Sequence, residues 1–352
     1  MFSPMLHIES SRLWISFHLV PHLLAGALAL LGDATPALHA ADWAVYEGNA
    51  GAGQGKHILF IAGDEEYRSE EALPMLAKIL AVRHGFKCTV LFPINPQTGF
   101  IDPICQTNIP GLHLLPSADM MVLFARFREL PDDQMSHFVD FVNPGKPILG
   151  IRTSTHAFAY DRNKQSPFAR YDWRDKEWPG GFGQQVLGET WINHHGDHNK
   201  QSTRGILSPR FQDHPILRGV TDIWGPTDVY GVVNLPADAK VLVLGQVLSG
   251  MKPGDPPVQG KKNEPMMPLV WIREYRGATG QTSTIITSTF GSAVDFKNEH
   301  SRRLLVNACY WALRLEDKIT ANANVDYVGT YEPTYFGFGK FKPGLTPDHY
   351  AQ

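Results

Sequence analysis

Four short apolar runs constrain this chain most, and the first, third and fourth lead into charged or hydroxyl-bearing residues: 57–63 (HILFIAG), 86–92 (FKCTVLF), 119–124 (DMMVLF) and 147–151 (PILGI). They have the length of strands rather than of buried helices. A helix is predicted from Ser69, with Ser69 as N-cap, Glu70 and Glu71 in the first turn where the helix dipole favours acid, and Leu73, Leu76, Ala77 and Leu80 at helical spacing. A second is predicted over 132–142. Nearly continuous apolar strands alternating with helices imply a mostly parallel sheet covered on both faces, an α/β fold.

Residues 159–203 are loop-rich and hold three tryptophans, and a long insertion of that kind in a compact domain is usually functional. Strand-like runs resume at 205–207, 229–234, 240–247, 269–275 and 282–289. A last amphipathic helix is predicted over 298–315, with Leu304, Leu305, Ala308, Trp311 and Ala312 on one face. At the other end, Arg12 precedes the stretch 13–31, whose uninterrupted apolar part (23–31) is too short to span a bilayer. Small residues follow, so 1–40 reads as a signal peptide cut after Ala40, and the protein as exported, periplasmic or secreted, with no integral membrane span after cleavage. The segment 317–352 interleaves Tyr327, Tyr331, Tyr335, Phe336, Phe338 and Phe341 with glycines, a composition that predicts an extended tail packed on the domain. One domain, 55–316, is left between them. Three cysteines, Cys88, Cys105 and Cys309, make no disulfide framework, and Cys88 and Cys309 read as small buried hydrophobes.

The formal charge of −3 excludes a basic nucleic-acid binder. In an open parallel sheet ligands bind outside the carboxyl ends of the strands, and here those ends are polar. The first strand runs into 64–68 (DEEYR), the third into 126–128 (RFR), the fourth into 152–156 (RTSTH). Taken singly, Glu65, Glu66, Arg68 and Arg128 read as solvated ion pairs, because such pairs are common and weak. Arg152 and His156 carry more weight, since an arginine directly after a buried strand needs a partner or an anionic ligand. The run 191–198 (WINHHGDH) offers His194, His195 and His198 as ligands of a divalent metal, as substrate hydrogen-bonding groups or as parts of a structural loop; its spacing matches no established zinc signature. Asp228, in 225–230 (GPTDVY), is a candidate general base or hydroxyl acceptor, or part of a turn. The hydroxyl-rich 287–292 follows neither phosphate-loop pattern. A nucleophile elbow after the fourth strand would read G-x-S-x-G, but 150–154 (GIRTS) has Arg152 at the nucleophile position, which excludes covalent catalysis from that turn.

Taken together, the segments HILFIAGDEEYRSEEALP, PILGIRTSTHAF, FGQQVLGETWINHHGDH, GPTDVYGV and TSTFGSAVDFKNEHSRRLLVNACYWAL, with the FGFG-containing tail, resemble the ThuA-like (trehalose-utilisation) domain family over about residues 55–345. The resemblance implies a flavodoxin-like, class I glutamine amidotransferase-like three-layer sandwich without the Cys-His-Glu triad. It also implies a disaccharide or keto-glycoside ligand, with hydrolase or isomerase chemistry. Two departures stand out: Arg152 and 290–292 (FGS) occupy places where many relatives have histidine.

As an enzyme, the chain would use His156 and His195 as acid and base, with His194 or His198 as the alternative to His195. Glu66 or Asp228 would be the carboxylate, Arg126 and Arg152 would orient oxygen atoms, and Tyr67, Trp191 and Tyr230 would stack on sugar faces. The competing readings are a non-catalytic carbohydrate-binding or scaffold module and a divalent-metal hydrolase that uses His194, His195 and His198. The expected partner is a small carbohydrate; a homo-oligomer is compatible with the sequence.

Overall fold

The computed structural model describes residues 41–351, so the signal segment expected over 1–40 lies outside the described residues. The chain forms the strands β1 (Trp43–Tyr46), β2 (His57–Gly63), β3 (Lys87–Leu91), β4 (Met120–Ala125) and β5 (Ile148–Ile151). They are followed by β6 (Thr203–Leu207), β7 (Ile223–Gly225), β8 (Lys240–Val247), β9 (Met267–Arg276) and β10 (Thr282–Ser288). The helices are α1 (Ser69–His84), α2 (Asp132–Val142), α3 (Glu299–Ala312) and the short α4 (Pro347–Ala351).

Along β2, Ile58, Phe60 and Ala62 turn into one core while Leu59 and Ile61 turn into another. A strand buried on both faces has no reason to alternate polar with apolar, which is why it reads as an uninterrupted apolar run. α1 and α3 supply Leu73, Leu76, Leu80, Leu304 and Leu305 to the first core. α2 supplies Met135, Phe138 and Phe141 to the second, where the loop-rich segment adds Phe182, Val186 and Leu187. Cys88 and Cys309 are buried among the apolar side chains of the first core.

All ten strands lie in one sheet, in the order β1-β3-β2-β4-β5-β10-β9-β8-β6-β7. The five from β3 to β10 pair in parallel, whereas β1 and the wing β9-β8-β6-β7 pair antiparallel. The wing departs from the parallel expectation for a simple reason. Parallel neighbours need a long crossover, usually a helix, and no helix separates β8, β9 and β10.

Three local expectations are corrected. Ser69 is the first helical residue, not the N-cap; Arg68 holds the cap position at φ 63, while the Ser69 hydroxyl accepts from the backbone N–H of Gly63 and Asp64. Residues 229–234 form no strand. Their backbone serves the histidine loop instead, with His195 and Gly196 donating to Val229 O and Gly231 donating to Asn193 O. The sheet also begins before residue 55, because β1 pairs with the edge of β3.

The C-terminal segment crosses the first core. Tyr331 donates its hydroxyl to Ala293 O at 2.7 Å, Phe336 is 1% exposed, and Tyr350 stacks on Phe92 beside β3 with ring centroids 5.5 Å apart. Among the described residues no helix is long and apolar enough to cross a membrane. Because Phe336 is buried as deeply as the sheet's own side chains, Phe336→Ala is expected to lower unfolding stability by about 3 kcal/mol, read from the midpoint of urea denaturation at unchanged m-value.

Candidate functional site

Three strand-end turns build the site, and each contains a non-glycine residue in the left-handed region: Arg68 after β2 (φ 63), Phe127 after β4 (φ 51) and Arg152 after β5 (φ 44). Such a backbone costs about 1 kcal/mol or more and persists where the surroundings over-determine it. They do so here. Arg68 donates to Glu65 O, Glu66 O and Gly337 O. The Phe127 N–H donates to His156 O at 3.0 Å. Arg152 donates to Asp228 O at 3.1 Å, Thr289 O at 3.0 Å and Asp228 Oδ1 at 3.0 Å.

The Arg152 guanidinium lies between two phenol rings, 4.1 Å from the centroid of Tyr67 and 4.3 Å from that of Tyr230. Arg152, Tyr67 and Asp228 are all 1% exposed or less. They form a buried layer, so the substrate contacts expected of Arg152 and Tyr67 do not occur in this arrangement. Glu66, Arg68 and Arg128 are buried too, and Glu65 nearly so, where solvated pairs were expected. Arg128 donates to Pro103 O and Cys105 O and faces Glu65 at 3.3 Å.

Next to this layer opens a cavity of about 200 Å³. Phe127, Trp191, Tyr230 and Phe338 are its aromatic walls, and Glu66, Arg126, His156, His194 and His198 its polar ones. Seven of the residues singled out from sequence for substrate or acid–base work therefore meet there: Glu66, Arg126, His156, Trp191, His194, His198 and Tyr230. His195 does not. The loop is locally extended where His194 bridges to Tyr230, so adjacent side chains point to opposite sides. His194 faces Asp228, while His195 Nε2 lies 2.9 Å from Lys262 O.

The polar groups form a chain. Asp228 Oδ2 is 2.6 Å from His194 Nδ1 and its Oδ1 is 3.0 Å from His198 Nδ1; His198 Nε2 is 3.3 Å from Glu66 Oε1; Glu66 Oε2 accepts from Arg126 at 2.5 Å. Hydrogen bonds to Asp228 and then to Glu66 outweigh the opposing burial and raise the His198 pKa to about 9. Burial pushes Asp228 upward, but bonds from the two imidazoles and the Arg152 charge hold it well below its ordinary range. Glu66 is likewise lowered, because His198, Arg126 and Arg152 prevail over burial. His156 goes the other way. Burial first, then the charges of Arg126 and Arg152, push it well below its ordinary value, so it is a neutral imidazole at pH 7.

His194, His198 and Asp228 also offer donor atoms within 4.8 Å of one another, a set that a divalent ion could use. Two of the three ligands expected from sequence remain, and Asp228 takes the place of His195. Sequence reasoning missed Phe127 and Phe338. The aromatic–glycine alternation at 336–339 (FGFG) was the available signal for Phe338, but it pointed equally to packing.

No family model matches the chain, and no curated protein matches it. Among solved structures, the chain is similar to a protein of Parabacteroides merdae described as thua-like, at 14% identity and a TM-score of 0.47, over 76% of this chain and 96% of that one. A thua-like protein of Bacteroides uniformis has 14% identity and a TM-score of 0.45, over 76% and 95%. A cytoplasmic protein of Salmonella typhimurium has 14% identity and a TM-score of 0.40, over 73% and 99%. Structures described as thua-like are thus among those similar to this chain.

The raised pKa of His198 has a measurable consequence for folding. Its stabilising contribution is fully present below the unfolded value near 6.5 and is lost as pH rises through about 9. Urea unfolding between pH 6 and 10 is expected to show a loss of up to about 3 kcal/mol from this group, which His198→Gln removes. A His198 imidazole that titrates near 6.5 by NMR would contradict the assignment.

Proposed function

We propose that the strand-end cavity binds one sugar-sized unit of a carbohydrate, and that His198 and Glu66 perform acid–base chemistry on it, as in a hydrolase or an isomerase. One observation carries this: a proton donor and a carboxylate, His198 and Glu66, stand 3.3 Å apart on the wall of one cavity, within reach of a single ligand. Each partner favours the other's charged form, so the pair presents a proton and a carboxylate to the same ligand. His198 is protonated at pH 7 and able to donate. Glu66 stays a carboxylate, able to accept a proton or to stabilise developing positive charge, and Arg126 fixes its orientation. Asp228, itself out of reach, holds His194 and His198 in place and sustains the charge on His198.

The size and charge of the cavity support the ligand class. At about 200 Å³ it lies below the roughly 300–1,000 Å³ of drug-sized sites and suits a single ring, with the remainder of a disaccharide outside. Arg126 already faces Glu65 at 3.5 Å and Glu66 at 2.5 Å, which favours a neutral ligand over an anionic one. The parallel order β3-β2-β4-β5-β10 supports the flavodoxin-like, amidotransferase-like layering, to which the antiparallel wing is added. Arg152 has the strained strand-end backbone of a nucleophile elbow with a guanidinium where a nucleophile would stand, so covalent catalysis has no place in this reading. Export rests on the 1–40 segment and belongs to the same proposal.

The test is a panel of methyl glucosides, methyl galactosides, trehalose and their 3-keto derivatives, followed by calorimetry and product analysis. Conversion of at least one is expected. His198→Gln and Glu66→Gln are expected to slow it by about 10²-fold or more with affinity kept within a few-fold. Binding without conversion of any sugar would leave a carbohydrate-binding module. The donor set of His194, His198 and Asp228 supports a second reading, a divalent-metal hydrolase. Arg152, Arg126 and protonated His198 already more than offset the charge on Asp228 and Glu66, so an ion would have to displace the His198 proton. Elemental analysis and calorimetry with Zn²⁺ decide it: stoichiometric zinc that His194→Ala and His198→Ala abolish would favour the metal reading.

A further inference from the structure

We infer that Phe338, carried by the C-terminal segment, is the stacking platform that selects ligands with an apolar ring face, and that the site is complete only when this segment lies across its mouth. The inference rests on the carbohydrate reading and deepens it. Phe338 is 61% exposed, although Phe336, two residues earlier, is 1% exposed against Tyr67 and His198. In a regular extended segment residues two apart share a face. Gly337, at φ 134, breaks that rule, for this is a backbone conformation that side-chain-bearing residues rarely adopt, and it turns one phenyl into the core and the other to the cavity.

The turn is clamped to the catalytic loop. The Gly337 N–H donates to Glu66 O at 2.8 Å, and Gly337 O accepts from Arg68 at 2.6 Å. The ring itself is oriented by Arg126, whose guanidinium carbon lies 4.7 Å from the centroid of Phe127 and 4.8 Å from that of Phe338. One cation thus holds Glu66 and aligns two aromatic walls. A mostly exposed ring on a cavity wall has little to contribute to the fold. It suits a pyranose with mostly equatorial hydroxyls, whose flat face carries C–H groups that meet the negative face of an aromatic ring.

The experiment is calorimetry on the full chain with the sugar of the panel that binds most tightly. Phe338→Ala is expected to weaken it about tenfold, Phe338→Leu by less, and Phe338→Trp to keep it within threefold. The melting temperature of Phe338→Ala is expected to stay at the wild-type value, because the ring is exposed, which separates lost recognition from lost folding. Wild-type protein that binds a sugar which Phe338→Ala binds equally well overturns this inference alone and leaves the carbohydrate reading standing. Wild-type protein that binds none of the panel overturns both.

Discussion

The buried ion pair between Arg152 and Asp228 is the contact on which the site depends. It joins the ends of β5 and β10 to the segment after β7, since one guanidinium reaches Asp228 O, Asp228 Oδ1 and Thr289 O. Two stacked phenols complete the enclosure and leave the charge no route to water. A pair of this kind adds little net stability, yet removing one partner strands the other charge at a cost of about 3–5 kcal/mol. Its value lies in position. Asp228 can present two oxygens to two imidazoles only because its backbone and one oxygen are pinned from behind.

From that pinned carboxylate the polarity of the cavity follows. His198 stays protonated because it touches two carboxylates, and Glu66 stays ionised because it touches an imidazolium and a guanidinium. His156, with its ring centroid 5.5 Å from that of Trp191, meets no carboxylate and remains neutral. Two histidines of one cavity, His198 and His156, thus differ in charge through their neighbours alone. The near balance of charge in the whole chain is repeated at the site, where arginines and acids alternate rather than segregate.

The parallel centre of the fold was legible because burial on both faces writes itself into a strand as an unbroken apolar run, as in β2 and β4. α2 was legible to its end residues because one of its faces meets a core and the other meets water. The pairing of the wing was not, since periodicity identifies a strand without naming its partner or direction. The same limit hid the burial of Arg68, whose third acceptor, Gly337 O, lies 269 residues away in sequence. It also hid the split between His194 and His195. Residue types marked the candidate groups, but which of two neighbouring imidazoles faces Asp228 depends on a backbone bridge to Tyr230 that no local pattern encodes.

The clamp between Gly337 and the turn after β2 also has a kinetic meaning. Contacts at a sequence separation near 270 are among the most expensive to close entropically, and chains rich in them fold slowly. The central sheet, assembled from nearer neighbours, can form while the segment 335–339 is still free. Closure of the cavity thus depends on a contact made across most of the described chain, and without the segment 335–339 the pocket would be open and three-walled.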